Sequence, residues 1–246
     1  MSGLRLGLAL LGLVALSAAA RADVVVADLT SHLIAITTGF TGASVVLFGA
    51  TDGLADVVAV VRGPERDVTV WRKGKIAGIW ANTESVTFGN IPSFYAVAAS
   101  RPLNDLLSPA AAALYKIGTD NLKFEARSDT EPDRLRVFAD ALIDVRKRDG
   151  VFSPSHQKIA FLGDRLFRTT FFFPANVPTG TYLVEVFLVR DKDVVGGQTT
   201  PLVVSKVGVD AAVFDFARSD ALAYGAIAVT MAVVAGWIAS LPFRNT

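Results

Sequence analysis

The chain has 246 residues, room for one large domain or two small ones, with 24 Lys+Arg against 23 Asp+Glu and no cysteine. That charge balance lacks the basic footprint of a nucleic-acid binder. The missing cysteines exclude a disulfide scaffold and thiolate chemistry, so an exported form would rest on a packed core alone.

The first residues read as a secretory signal, 1–22. Arg5 supplies the positive start, Leu6 to Leu16 an apolar run, and Ala20-x-Ala22 the small-residue cleavage pattern, with Asp23 as the first mature residue. Loss of Arg5 and Arg21 would leave 22 bases against the 23 acids.

From 23 to 100 an N-terminal β domain is expected. "VVVADL", "HLIAIT", "ASVVLFGA", "ADVVAVVRG", "RDVTVW", "KIAGIWA" and "SFYAVAAS" are short runs rich in Val, Ile and aromatics, separated by Gly, Pro, Asn and Asp. Their spacing is that of a sandwich or barrel. In "RDVTVWRKGKIAGIWA" a two-residue turn at Lys73-Gly74 would pair Trp71 with Ile76. Trp71, Ile76 and Trp80 would then share one face, and Val68, Val70, Ala77 and Ile79 the other. With Arg72 and Lys73 at its end, this hairpin is the candidate partner surface. The competing expectation is that the chain's own helices, from Leu103 to Arg148, cover the indoles. The basic stretch Arg62, Arg66, Arg72, Lys73 and Lys75 could meet anionic lipid or an anionic solute, or simply solvate the hairpin.

Residues 101–150 read as a helical insert. Its clearest element runs from Glu131 to Arg148, with Leu135, Phe138, Leu142 and Val145 on one face at spacings of three and four. Thr130 is the expected N-cap and Gly150 the terminator. A C-terminal β domain follows at 151–208, where Tyr182, Val184, Val186 and Leu188 alternate onto one face and resemble the late hairpin of immunoglobulin-like modules. A linker, 209–220, leads to Ala221–Leu241, an uncharged stretch with the length of a transmembrane helix, and a tail at 242–246. The expected class is therefore mainly β, sandwich-like with immunoglobulin-like strands and a helical insert, closed by one C-terminal transmembrane helix. Ala228, Ala232, Gly236 and Ser240 recur every four residues there, a stripe on which a second helix could pack. With a cleaved signal, the body would stand in the periplasm at a bacterial inner membrane and the C-terminus in the cytoplasm.

Sites for chemistry are sparse. His32 and His156 cannot assemble the usual zinc ligand sets without cysteine. Gly74-Lys75 is followed by Ile76 where a phosphate-binding loop needs Ser or Thr. Glu125, Asp129, Glu131 and Asp133 form a solvated helix entrance or, less simply, a calcium or acid–base cluster. No cofactor, metal or catalytic residue is expected.

"GFTGASVVLFGA", "VVAVVRGPERDVTVWRKGKIAGIWAN", "PSFYAVAASRPL" and "LFRTTFFFPANVPTGTYLVEVFLVRD" resemble the alphaproteobacterial transmembrane protein family Alph_Pro_TM. The resemblance covers the whole mature chain and implies an envelope protein. It also implies an accessory role beside a sulfite-exporter-type permease, and it brings no catalytic residues. The sequence thus points to a membrane-anchored, non-enzymatic interaction or accessory subunit. The alternatives are a periplasmic binding module for a small anion or saccharide and, behind it, a hydrolase.

Overall fold

The computed structural model describes residues 24–127, 131–208, 213 and 216–240, and side chains only as far as Trp237 in the last helix. The expected signal, Asp23, Thr130 and the tail 242–246 lie outside the described residues.

Two β-sheets enclose one core. The first has four strands: β1 (Val25–Leu29), β3 (Gly42–Thr51), β11 (Leu166–Pro174) and β10 (Ala160–Leu162), all antiparallel in that spatial order. The second has six, ordered β2 (Leu33–Ile36), β13 (Asp193–Lys206), β12 (Gly180–Arg190), β4 (Asp56–Arg62), β7 (Tyr95–Ala99) and β9 (Gln157–Lys158). Here β2 and β9 join their neighbours in parallel and the others pair antiparallel. This pairing order is that of an immunoglobulin-like arrangement. Strands from 23–100 and from 151–208 contribute to both sheets.

The alternation of β12 is realised as expected: Tyr182, Val184, Val186 and Leu188 are all buried. Beside it, β4 and β7 are buried on both faces, which suits their unbroken apolar runs "VVAVV" and "YAVAA". One face meets the four-stranded sheet. The other is covered by the insert, whose short helices α1 (Leu103–Leu106) and α2 (Pro109–Leu114) place Leu106, Leu107, Ala111 and Ile117 in the core. Ser108 caps α2 by accepting from the Ala111 N–H at 3.1 Å. Arg62 locks this cover down. It forms an ion pair with Glu185 of β12 and donates to the carbonyls of Tyr115 (2.6 Å) and Lys116 (3.2 Å).

A 3₁₀ turn (Thr119–Asn121) leads to the two-residue strand β8 (Glu125–Ala126), and the longer helix α3 spans Pro132–Arg148. Phe138 and Leu142 are buried and Leu135 is half-buried, but Val145 is 41% exposed, so the expected apolar face ends a turn early. Pro132 occupies the first turn after Glu131, the N-cap residue, and Gly150 takes the left-handed conformation (φ +74°) that closes the helix.

One expectation is overturned at the C-terminus. Helix α4 runs Ala221–Ser240, yet among the described residues no helix is long and apolar enough to cross a membrane. A hydrocarbon core needs about 20 consecutive apolar residues. The transmembrane helix at Ala221–Leu241 is corrected on that finding, and the single-pass topology with a cytoplasmic C-terminus is withdrawn with it. The fold is a mainly β body with a few helices.

Candidate interaction arm

Between β4 and β7 the chain leaves the six-stranded sheet as a long hairpin, β5 (Glu65–Ile76) and β6 (Ile79–Pro92), which with β8 forms a third sheet. Its root is tied twice through the backbone: Gly63 N–H to the Phe94 carbonyl (2.9 Å) and Ser93 N–H to the Pro64 carbonyl (3.0 Å). Only glycine fits at 63, since a Cβ there would lie 2.7 Å from Ser93 Oγ and 2.9 Å from the Phe94 nitrogen. Arg66 adds a hydrogen bond to the Thr179 carbonyl at 3.1 Å. Beneath the root, Phe94 stacks on Phe173 at 4.9 Å, and both rings contact Tyr182. The arm therefore stands on the aromatic core that joins the two larger sheets.

The turn is not at Lys73-Gly74. Ile76 pairs with Ile79, and the connecting Ala77-Gly78 has positive φ at both residues, +50° and +84°, the condition for a type I′ turn. Lys75 consequently pairs with Trp80, Gly74 with Ala81 and Lys73 with Asn82. Between Arg72–Glu84 and Lys73–Asn82 the ladder slips and Thr83 is left unpaired on β6, while β5 keeps its alternation.

This register corrects the expected faces. Trp71, Lys73, Lys75 and Trp80 share one side of the arm, and Lys75 Nζ sits 5.4 Å from the Trp80 ring centroid. Ile76 falls on the opposite side with Ile79, Arg72, Val70 and Val68. Along the proximal half that second side is covered. Val86 and Phe88 are buried, Val68 and Val70 half-buried, and the Phe88 ring meets Phe124 at 5.9 Å. Arg134 of α3 reaches Glu84 at 2.8 Å and marks where the cover ends.

Beyond Glu84 the arm is bare. Trp80 is 65%, Ile76 57% and Ile79 73% exposed, and Trp71, level with Ser85 just before this point, is 56% exposed. At ~3.3 Å per residue, Lys73 to Ile76 carry the arm about 13 Å past its last support. The expected cover by the chain's own helices thus holds for the proximal arm and leaves both indoles open.

Electrostatics sort the five bases of the stretch. Arg62 is consumed at the insert, and burial pushes its guanidinium below the ordinary range. Arg66 holds the root, and Arg72 faces Glu84 at 3.8 Å. Asp67 is held below the usual carboxylate range by the hydrogen bond from Arg127, at 3.0 Å. Lys73 and Lys75 have no carboxylate partner among the described residues.

The other candidates are dispersed. His32 lies on the surface, 2.9 Å from Asp28. His156 lines a shallow depression with Tyr95, Asp120, Ser153 and Ser155. Among the described residues no three His, Cys, Asp or Glu side chains gather to hold a metal. Ala228, Ala232 and Gly236 line up on α4, and the side chain of Ser240 lies outside the described residues. Ile79 was missed as a surface residue because its place depends on the turn; the signal for it was the Ala-Gly pair between two isoleucines.

A family described as "Putative transmembrane protein (Alph_Pro_TM)" matches residues 24–245. The chain belongs to this family. No curated protein and no solved structure matches it. The Alph_Pro_TM match runs through the β body, the arm and α4 alike, and the family description associates the chain with a membrane.

Proposed function

We propose that this protein is a non-enzymatic interaction or accessory subunit working on the periplasmic side of a bacterial inner membrane, with the β5–β6 arm as its contact element. Its partner in this reading is a membrane protein such as a sulfite-exporter-type permease. The observation that carries it is the arm's exposed apolar side chains, Trp80, Ile76 and Ile79 at its bare end and Trp71 farther back on the Trp80 side, on a hairpin rooted in the aromatic core. Large apolar side chains held in the open at one place are the usual mark of a contact surface, and Trp is the residue type most enriched at binding hot spots.

Copurification after mild solubilisation tests it. A membrane protein should co-elute with the wild-type chain and be lost from the Trp71→Ser/Trp80→Ser variant, whose thermal unfolding should be unchanged. Identical co-elution from both would remove the arm from the contact.

A second reading, a module for a small anion or saccharide, draws on the place where β9 of the six-stranded sheet meets β10 and β11 of the four-stranded one. Lys158 and Arg168 border a shallow depression there with Gln157 and Thr170. Titration with sulfite and sulfate, against Arg168→Gln, distinguishes this reading from the first.

A further inference from the structure

We infer that the end of the β5–β6 arm inserts into the headgroup layer of an anionic phospholipid membrane. This deepens the reading of the arm as the contact element and names what its tip touches.

The arrangement of side chains carries the inference. Around the Ala77-Gly78 turn, Ile76 and Ile79 project from one side and Trp80 from the other, with Trp71 on the Trp80 side farther back, level with Ser85. A tip apolar on both faces cannot be satisfied by a flat protein surface, which covers one face only. A medium that surrounds it can. Indoles prefer the boundary between headgroups and acyl chains, where the ring is desolvated and the N–H stays wet. The cations sit behind the apolar end, where lipid phosphates would lie. Lys73 and Lys75 alternate with Trp71 on one side, and Lys75 already rests over Trp80. Of the arm's three acids, Glu65 stands at its root, Asp67 is paired with Arg127, and Glu84 lies against Arg134 and Arg72. The distal arm therefore presents positive charge only, the sign that an anionic leaflet attracts. About 13 Å of unsupported hairpin is deep enough to pass the headgroups without bringing the body into them.

The test uses the full chain with Trp237→Phe, so that tryptophan emission comes from Trp71 and Trp80 alone. Vesicles of phosphatidylethanolamine and phosphatidylglycerol should shift that emission to the blue, and lipids brominated near the glycerol should quench it. Lys73→Gln/Lys75→Gln should weaken the response by roughly 30-fold, and neutral phosphatidylcholine vesicles should give little of it. Inorganic phosphate at matched ionic strength should give none, which separates a lipid surface from free phosphate. Because α4 is itself apolar, sedimentation with vesicles is not the readout; the arm's own emission is. Unchanged emission on anionic vesicles overturns the inference, as does an equal response on neutral ones. A blue shift that appears without lipid and grows with protein concentration also overturns it, in favour of contact between copies of the chain. Ile76→Ser/Ile79→Ser, at sites that pack against nothing in the body, should reduce quenching with thermal unfolding unchanged. A wild-type chain that copurifies no membrane protein while its lipid response is intact would sink the accessory-subunit reading alone. The reverse pattern would sink this inference alone.

Discussion

The carboxamide of Gln198 closes the gap between the two larger sheets by acting as a strand for Ala27. Its oxygen accepts from the Ala27 N–H at 2.8 Å, and its nitrogen donates to the Ala27 carbonyl at 2.9 Å. Ala27 lies buried on β1, which has β3 on one side and, among the described residues, no strand on the other. A strand edge inside a protein must have its polar groups met. Gln198→Ala should leave both groups of Ala27 short of a partner and cost ~1–3 kcal/mol, measured by urea unfolding. A loss under about 0.5 kcal/mol would show that water replaces the amide.

Tyr182 makes the second tie. Its hydroxyl donates to the Pro178 carbonyl at 2.5 Å, four residues upstream, the tyrosine corner of immunoglobulin-like folds. Burial pushes the Tyr182 phenol up to about 12, and that of Tyr95 likewise to about 12. Tyr95 donates to the Lys116 carbonyl (2.9 Å) and accepts from the Gly118 N–H (2.8 Å). Folded-state values raised above the ordinary phenol mean that the native state keeps protons the unfolded chain gives up. Stability should be full below pH 10 and fall as pH rises towards 12. Tyr95→Phe/Tyr182→Phe should be less stable at neutral pH and flatter through that window. A parallel decline in both proteins would assign the alkaline loss to other groups.

The half-buried pair Arg62–Glu185 offers a sharper contrast. Removing one partner, as in Glu185→Gln, leaves the Arg62 charge without its carboxylate beneath the insert and should cost ~1–3 kcal/mol. Arg62→Met/Glu185→Leu should recover most of that loss. A double variant as unstable as the single would mean that the bonds from Arg62 to Tyr115 and Lys116 matter more than the pair.

On α3, Phe138→Ala should cost ~3–5 kcal/mol, because the ring is buried and its removal leaves a cavity. Val145→Ala, one of the four residues expected to be equally buried, should cost under about 1 kcal/mol at 41% exposure. Equal losses at the two sites would put the end of the helix back in the core.

At the arm's turn, Ala77 holds a left-handed conformation that an Ala side chain disfavours. Ala77→Asn creates the Asn-Gly pair that type I′ turns prefer and should stabilise the tip by up to about 1 kcal/mol. Slower amide exchange at Lys75 and Trp80 would report it. Unchanged exchange would mean the tip's order does not depend on the turn.

Properties that depend on near neighbours were legible in the sequence. The alternation of Tyr182 to Leu188 stated which side of β12 is buried, and the spacing of Leu135, Phe138 and Leu142 stated the face of α3, with its ends marked by Pro132 and Gly150. The exposed Trp-Lys arm was legible as a hairpin with two apolar faces. Its register was not. Lys73-Gly74 and Ala77-Gly78 are both local turn candidates, and the choice was made by the length of the ladder, which keeps Val86 and Phe88 buried and places the slip at Thr83. That choice moved Ile76 to the other face and left Lys75 beside Trp80. Tertiary structure alone decided that β3 pairs with β11 and β4 with β12, over a hundred residues apart, since such pairings are set by complementary surfaces that no short window contains. It also decided the use of Gln198, a polar residue on a strand whose value lies wholly in the open edge of β1. Hydrophobicity by itself made Ala221–Leu241 read as a span. What surrounds an apolar helix is a fact of the folded chain, because composition records affinity for a non-aqueous environment without naming the environment.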